Sequence, residues 1–598
     1  LKQTPLDGTG LNPLLQDDWM VIHPPIMFVG YAASAIPFSF AMAALWRKDY
    51  DSWAVRAFPW ALGGFLVLGT AILMGGYWAY KTLGWGGYWG WDPVENASLI
   101  PWLFGTVMIH GLHMERTKGR YRRANYVLAG LTYISVLYGT FLTRSGVLAD
   151  FSVHSFVDLG ISGWLTFLLA GFSLLWLVLL ATRWKQIPTA ANEDPFLSRG
   201  TFLVLSTITI LVATIMIAIG TSAPLLTRFM ENQGQVGPEF YNRVNFPIAL
   251  LISVLLSIVP YLTWRGTAGR ELLRKLIVPG IFALIVAVAA AVWQVHNPFH
   301  LLFVFLAALA LATNLDKTIA KTRAGGLRGA GGYLAHVGVG VILLGIIASS
   351  AYDRSAKVTL EQGVPSQVGD LTLTFERFIP RQGYEREKME VQVVKADGQK
   401  FKVYPRLFMN ERTKQVMVHP DIRKTPLQDL YVSPIDFDPG RPSLQLAQGE
   451  QGSVGNTQIR FVSFDLNADG NAIAQMEGGK PITIGAVFDV TRGGQTSRVK
   501  PLYRLNPVDG SVETPPLALP GGGHIYVAGI NASSRAVQVG IEGVASRPKL
   551  SVDVTHKPLI NLVWWGLYVV LLGGILSTVQ RIREVRLRDR LAVRAAEE

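Results

Sequence analysis

The sequence predicts a polytopic α-helical membrane protein, with about eleven transmembrane helices and one large β-rich extracytoplasmic domain. Of its 598 residues, 50% are hydrophobic and only 16% are charged, and the mean hydropathy is +0.30. Several apolar runs approach or exceed the roughly 20 helical residues that a hydrocarbon core of about 30 Å requires. These runs lie at 26–46, 58–80, 97–114, 125–143, 161–182, 201–221, 246–264, 275–293, 300–315, 333–352 and 558–579.

Basic residues give the expected orientation of these helices. Successive connections between the helices lie alternately on the two sides of the membrane. The connections of one side carry most of the Lys and Arg residues of the helical region, and the positive-inside rule places that side in the cytoplasm. The other side carries only Lys2, Lys81, Arg144, Arg228 and Arg243. The net charge of +13 therefore indicates basic loops at an anionic membrane surface rather than nucleic-acid binding.

A segment of different character separates the last two apolar runs. Residues 371–375, 389–393 and 459–464 alternate apolar with polar side chains, which predicts β-strands between Gly, Pro and Asn turns. We therefore expect four regions along the chain. They are a helical bundle at 1–352, a β-rich domain on the outer side at 353–555, a last transmembrane helix at 556–580 and a basic cytoplasmic tail at 581–598.

The connection between the second and third helices, residues 83–96, is the most distinctive stretch, and we call it the tryptophan loop. Its tryptophans at 85, 89 and 91 and its tyrosine at 88 predict a flat, wide aromatic surface, and its glycines let a large planar ligand approach the backbone. A porphyrin is such a ligand. An interfacial aromatic belt is the alternative interpretation. A belt requires neither the glycines nor the following Asp92-to-Asn96 run, in which Asp92 or Asn96 is placed to cap the next helix.

Histidine is the expected metal ligand, because the chain has no cysteine. His23 precedes the first predicted helix and His154 follows the fourth, so both are expected at the outer surface beside the tryptophan loop. His110 in the inward-running third helix and His336 in the outward-running tenth helix are expected at similar depth in the cytoplasmic half of the membrane. His113 stays open as an alternative ligand or an interfacial residue.

These features together resemble the CcmF family of haem lyases. Residues 85–96 resemble the tryptophan-rich WWD signature of haem-handling membrane proteins, and the order of His23, this signature, His110, His154, His336 and a large outer domain resembles that family. The resemblance runs from about residue 10 to the last helix, and it includes a stretch from Pro420 to Tyr431 to which chemistry assigns no role. Because CcmF proteins usually have several more helices before this region, we expect further sequence ahead of Leu1.

The resemblance implies a site with two haems. It implies that His110 and His336 ligate a resident b-type haem in the membrane, and that His23 and His154 are the catalytic outer histidines, which transiently bind the iron of a second haem b, the substrate. The implied residues of the outer haem site are Trp85, Gly86, Gly87, Tyr88, Trp89, Trp91, Asp92, Pro93, Glu95 and Asn96.

The resemblance also implies a reaction and its partners. Haem arrives from the chaperone holo-CcmE and is joined by thioether bonds to the CxxCH motif of apocytochrome c. Further partners are CcmH/CcmI-type subunits and a quinol, which through the inner haem would keep the substrate iron reduced. The implied location is the bacterial inner membrane, with the tryptophan loop and β-rich domain periplasmic and the C-terminus cytoplasmic. Two alternatives stay open: a haem transporter of the WWD superfamily, and a quinone-linked b-type electron-transfer protein.

Overall fold

The helices confirm the fold class that hydropathy predicts. The computed structural model describes residues 15–148, 152, 160–190, 194–228, 230, 234–382, 385–409, 416–440, 443–468, 482–506, 511–531, 534–542 and 547–597. Within these ranges, eleven helices are long and apolar enough to cross a membrane. The α-helices are α1 (Asp18–Arg47), α2 (Trp53–Thr82), α3 (Pro93–Lys118), α4 (Arg122–Arg144), α5 (Ser162–Arg183), α6 (Arg199–Thr221), the single turn α7 (Ala223–Leu226), α8 (Pro238–Ile258), α9 (Gly269–Val292), α10 (Pro298–Gly325), α11 (Gly331–Ala351) and α12 (Asn561–Glu597).

The first helix begins earlier than the apolar pattern predicts. The expectation that His23 precedes the first helix is wrong, because α1 starts at Asp18 and continues through Pro24 and Pro25. The carboxylate of Asp17 caps this start by accepting a hydrogen bond from the backbone N–H of Trp19 (3.0 Å), and it also pairs with Lys81 at the end of α2 (2.8 Å). A polar first turn held by a cap does not register in a hydropathy window.

The strands also agree with the alternating patterns, and β3, β4 and β12 contain the three predicted stretches. The β-strands are β1 (Arg354–Glu361), β2 (Ser366–Val368), β3 (Leu371–Ile379), β4 (Lys388–Lys395), β5 (Lys400–Val403), β6 (Arg406–Met409), β7 (Val416–His419), β8 (Asp421–Lys424), β9 (Gln428–Asp438), β10 (Ser443–Ala447), β11 (Gln451–Val454), β12 (Thr457–Asp465), β13 (Ile482–Arg492), β14 (Gln495–Val499), β15 (Leu502–Leu505), β16 (Val512–Glu513), β17 (Leu517–Ala518), β18 (His524–Asn531), β19 (Ala536–Glu542) and β20 (Lys549–Pro558).

These strands form open sheets rather than a closed barrel. Their orders are β1-β20-β9-β8, β10-β19-β18-β17, β2-β3-β4-β5, β6-β7 and β11-β12-β13-β15-β16, with β14 also paired to β13. Antiparallel pairs such as β3 with β4 and β12 with β13 contain a register shift, at Phe375/Arg377 and Phe461/Ser463. Such bulges bend and twist a strand locally.

The chain divides into two compact units. The helical unit comprises Leu1–Ser355, His419–Tyr431 and Thr555–Glu598, and the β unit comprises Ala356–Val418 and Val432–Val554. Apolar side chains from alternating strand positions, including Phe461, Phe488 and Val539, fill a core in the β unit.

Aromatic and aliphatic side chains together form the core of the helical unit. Trp53 stacks on Tyr126 with ring centroids 4.6 Å apart, and both rings are buried. In contrast, α5 and α9 leave large apolar side chains such as Trp164, Phe167 and Ile285 exposed. Exposed apolar faces on long helices are typical of contact with lipid.

Candidate functional site

The tryptophan loop ends in a helix cap that fixes its shape. Asp92 precedes α3, and its side chain accepts a hydrogen bond from the backbone N–H of Val94 (2.7 Å). The carboxylate of Glu95 accepts from the backbone N–H groups of Asp92 (3.1 Å) and Gly90 (2.9 Å). With Pro93 at the first helical position, this is a capping box, in which two side chains satisfy the free N–H groups of a helix start. The cap at Asp92 confirms one of the two predicted positions.

Trp91 is held in a left-handed backbone conformation, with φ of 55°. The side-chain amide of Asn96 donates to the carbonyl of Trp91 (3.1 Å), and the indole N–H of Trp91 donates to Asn242 (2.9 Å). The indole ring stacks on Tyr241 of α8 with centroids 4.9 Å apart. A bulky residue with positive φ is strained, and these three contacts hold it there.

The aromatic rings of the loop do not form the single flat surface that we expected. Trp89 lies at 87° to Trp91, with ring centroids 6.0 Å apart. Tyr88 lies against α11, because its hydroxyl is 3.1 Å from the hydroxyl of Ser350, and burial raises the pKa of Tyr88. The physical reason is that each ring has its own packing partner, which residue composition does not reveal.

Trp85 covers two of the glycines that we expected to face a ligand, Gly87 and Gly90. A Cβ atom added at Gly87 would lie 2.3 Å from the ring of Trp85, and one added at Gly90 would lie 3.3 Å from it. The glycines therefore make room for the protein's own indole, which is itself 48% exposed. A planar ligand would stack on the exposed indole rather than on the glycine backbone.

A cavity of about 280 Å³ lies beside this indole. It is slightly smaller than the range of about 300–1,000 Å³ that is usual for small-molecule sites, so it suits one edge of a macrocycle better than the whole. Its walls come from the tryptophan loop and from the chain leading into α8. They are formed by Leu83, Trp85, Gly90, Trp91, Asp92, Glu95, Gln235, Val236 and Pro238.

His23 lies in α1 with its imidazole ring packed against α2. Its Nδ1 atom is 2.8 Å from the carbonyl oxygen of Ala71, and a Cβ atom added at Gly75 would lie 2.7 Å from the ring. A hydrogen bond from Nδ1–H to a carbonyl fixes the tautomer in which the lone pair is on Nε2, the tautomer found in many metal-binding histidines. His154 lies outside the described residues.

The structure brings His110 and His336, which we expected at similar depth, close together, and we call them the inner pair. Their ring centroids are 6.0 Å apart and their planes are 25° apart. An iron ion about 2 Å from one nitrogen of each ring would set the centroids about 6 Å apart. Nδ1 of His110 is 2.8 Å from the carbonyl of Thr106, which leaves Nε2 available as a ligand. The donor set and spacing therefore fit a bis-histidine haem.

His113 does not share this arrangement, because its ring lies 6.1 Å from that of Trp264. Of the two histidines on α3, His110 is thus the one whose ring lies near that of His336. Within the described part of the chain, no group of three or more His, Asp or Glu side chains is placed to hold a metal ion.

Glycines hold the helix that carries His336 against the last helix of the chain. A Cβ atom at Gly338 would lie 2.6 Å from the carbonyl oxygen of Gly566, and one at Gly573 would lie 2.3 Å from the backbone nitrogen of Ala335. The glycines around His336 therefore serve helix packing. In contrast, α3 is not among the helices that pack closely on α11, although the rings of His110 and His336 are neighbours.

Sequence reasoning missed four residues that position the tryptophan loop. Tyr241 and Asn242 of α8 contact Trp91. Tyr431 contacts the backbone at Leu83 and Gly86, and Asp429 contacts the last turn of α2. Asp429 and Tyr431 lie in the stretch that resembles the CcmF family, which was the available signal, whereas no local pattern marks Tyr241 or Asn242.

Comparison with known proteins gives consistent matches. Residues 1–148 match the family described as Cytochrome C assembly protein. Cytochrome c-type biogenesis protein CcmF of Pseudomonas aeruginosa is 34% identical over 452 residues, which cover 72% of this chain and 68% of the relative. Cytochrome c-type biogenesis protein CycK of Bradyrhizobium diazoefficiens is 34% identical over 599 residues, which cover 97% of this chain and 74% of the relative.

A solved structure shares the fold. It is named Cytochrome c Heme Lyase CcmF, and it is similar to this chain with a TM-score of 0.53 and 20% sequence identity. The match covers 94% of this chain and 72% of that one. At this identity the likeness establishes the fold and not the chemistry.

Proposed function

The chain belongs to the CcmF family of cytochrome c-type biogenesis proteins, and we propose that it is a haem lyase that joins haem to apocytochrome c. Membership implies a role in cytochrome c maturation and involvement of haem. The eleven apolar helices within the described residues, together with the bacterial relatives, make the chain a multi-pass inner-membrane protein. The observation that carries the proposal is the inner pair, because two imidazoles facing each other at haem spacing between membrane helices are otherwise costly to bury.

The outer site is proposed to hold the substrate haem on the tryptophan loop. The half-exposed indole of Trp85 offers a stacking surface, and the cavity beside it accepts one edge of the macrocycle. His23, whose Nδ1 is engaged by Ala71, is proposed to present Nε2 to the iron. His154 is proposed as the second transient ligand, and one of these two would be displaced by the histidine of the substrate motif.

The reaction proposed at this site is the addition of a thiol to a vinyl group. The S–H bond of a substrate cysteine breaks, a C–S bond forms to one vinyl carbon, and the other vinyl carbon gains the proton. Because this chain has no cysteine, both thiols come from the CxxCH motif of apocytochrome c. The residues of the tryptophan loop therefore orient the reactants and take no part in bond formation.

The inner pair is proposed to hold a b-type haem through Nε2 of His110 and a nitrogen of His336. When held by these two histidines, the haem would supply one-electron transfer. On this chain His110 and His336 hold the group, and the hydrogen bond from His110 to Thr106 orients the first ligand. We propose a quinol as the ultimate electron source and reduction of the substrate iron as its purpose.

The partners and orientation follow from the same proposal. Holo-CcmE would deliver the haem, and CcmH/CcmI-type subunits would present apocytochrome c. The tryptophan loop and the β-rich region at 353–555 would then face the periplasm, and the C-terminus the cytoplasm, as the distribution of basic residues indicates.

The first test is the reduced-minus-oxidised visible spectrum of the detergent-purified protein, with haem quantified as its pyridine haemochrome. We expect a low-spin b-type spectrum that is lost in His110→Ala and in His336→Ala. His113→Ala is the matched control and should keep the spectrum, because its ring lies against Trp264. A wild-type protein that stays free of haem after haem supplementation would contradict the proposed inner site.

A second test separates the lyase from its alternatives. The double variant His23→Ala with His154→Ala should lose attachment of haem to cytochrome c while keeping the inner haem spectrum. A plain quinone-linked electron-transfer protein would be unaffected by this variant. A haem transporter would also lose haem delivery in this double variant. It would not need the inner pair, so loss of that pair should leave its transport unchanged.

A further inference from the structure

A short segment between two stretches of the β unit belongs to the helical unit. We call this segment, His419–Tyr431, the anchor segment. It is tied to the chain entering α12, since the carbonyl of Leu427 accepts from the backbone N–H of Leu559 (2.7 Å) and the carbonyl of Thr425 accepts from the side-chain amide of Asn561 (2.7 Å). These bonds give the anchor segment a fixed position.

The hydroxyl of Tyr431 bridges two backbone groups at the start of the tryptophan loop. It donates a hydrogen bond to the carbonyl of Leu83 (2.5 Å) and accepts one from the N–H of Gly86 (3.1 Å). Gly86 has a φ of 73°, a conformation that an L side chain adopts only with strain. One hydroxyl can donate once and still accept, so it satisfies both groups.

A second buried bond ties the anchor segment to the helix that precedes the loop. The hydroxyl of Tyr80, in the last turn of α2, donates to the carboxylate of Asp429 (3.1 Å), which is 0% exposed. The amide of Asn561 also donates to that carboxylate (3.3 Å). The rings of Tyr80 and Tyr431 pack together with Ile560 in one buried cluster. The last turn of α2 and the Leu83–Gly86 turn are therefore both bonded to the anchor segment.

We propose that Tyr431 is a positioning residue for the outer haem site. Its hydroxyl fixes the turn at Leu83 and Gly86, and this turn carries Trp85, whose ring covers Gly87 and borders the cavity. The inference rests on the proposed function, because it assigns Tyr431 to the placement of the indole on which the substrate haem would stack. It gives a role to the stretch that residue chemistry alone left unassigned.

The test uses Tyr431→Phe, which keeps the buried ring and removes only the hydroxyl. Hydrogen exchange of the loop amides, followed by mass spectrometry, should be faster in this variant. Titration with ferric haem, monitored by the Soret band of the outer site, should give a dissociation constant raised by about tenfold. The inner haem spectrum should be unchanged. Tyr568→Phe, which alters an exposed tyrosine on α12, is the control and should change neither quantity.

A double-variant cycle shows whether the effect passes through Trp85. In a Trp85→Ala background, Tyr431→Phe should weaken haem binding no further, because the ring that the hydroxyl positions is absent. Faster exchange with unchanged haem affinity would overturn the proposal, since the hydroxyl would then hold the loop for stability alone. If the wild-type protein bound no added haem, the proposed function would be overturned together with this proposal. Tyr431→Phe would still speed up hydrogen exchange of the loop amides, and that result would identify this case.

Discussion

Trp91 of the tryptophan loop and Tyr241 of α8 lie almost parallel, with an interplanar angle of 7° and ring centroids 4.9 Å apart. The two residues are far apart in the sequence, and the contact joins the two walls of the cavity beside Trp85. Tyr241 is 1% exposed, so the stack extends the core of the helical unit up to the proposed haem site.

Removing this stack should weaken haem binding at the outer site. Tyr241→Leu keeps an apolar side chain but removes a ring contact of about 0.5–1.5 kcal/mol, so we expect about two- to tenfold weaker binding of ferric haem. Haem titration measures this change. Tyr241→Phe retains the ring and should bind haem as the wild type does; equal weakening in both variants would show that the hydroxyl matters and the stack does not.

The capping box at the end of the loop should contribute measurably to stability. Glu95→Ala removes the acceptor of two backbone N–H groups, those of Gly90 and Asp92. We expect a loss of about 1–3 kcal/mol in the free energy of unfolding, measured by denaturant titration in detergent. Glu95→Gln should lose less, because an amide oxygen still accepts. Glu239→Ala, in the exposed first turn of α8, is the control, and a similar loss there would argue against the cap.

The glycine contacts between α11 and α12 should be needed for the inner pair. Gly573→Ala would place a Cβ atom 2.3 Å from the backbone of Ala335, adjacent to His336. We expect a destabilisation of about 1–3 kcal/mol or more from overpacking, seen as a lower melting temperature, together with a reduced inner haem absorbance. Gly280→Ala in α9, where an added Cβ meets nothing within 4 Å, should leave the haem unchanged. An unchanged spectrum in Gly573→Ala would show that the helices separate without moving His336.

The buried carboxyl of Asp429 should make stability depend on pH. Burial raises the pKa of Asp429, against the opposing hydrogen bonds from Tyr80 and Asn561. A pKa that is higher in the folded than in the unfolded state stabilises the fold below the unfolded value, and this contribution is lost as pH rises through the folded value. Between about pH 4 and about pH 7, the melting temperature of Asp429→Asn should therefore fall less than that of the wild type. The same change at exposed Asp397 should leave the wild-type pH dependence intact.

The sequence predicts the elements of this fold well, because each membrane helix corresponds to a continuous apolar run in the sequence. All eleven runs correspond to helices. Counting residues from the helix ends also gives His110 and His336 a similar depth, but only the resemblance to the CcmF family implies that the two act on one haem; their rings lie 6.0 Å apart. The start of α1 could not be predicted in this way. It is set by the cap at Asp17 and the ion pair with Lys81, which are side-chain contacts that a hydropathy pattern does not show.

The shape of the tryptophan loop could not be predicted from the sequence for a related reason. Composition indicates that aromatic rings and glycines are present, but the direction of each ring depends on a partner that is distant in sequence. Trp91 takes its direction from Tyr241, Tyr88 from Ser350, and the turn at Gly86 from Tyr431. None of these pairs leaves a local pattern, because each pair is formed by tertiary packing.

The packing of α11 on α12 bears on the order in which the protein is made. Among the helix pairs of the described chain, α11 and α12 pack most extensively, yet the β-rich sequence separates them, so the ribosome makes α12 only after that sequence. Until then α11 lacks the neighbour into which Gly338 and Gly345 fit. His336 therefore gains this helix contact only after α12 has been made, so we expect the inner pair to form late in biosynthesis.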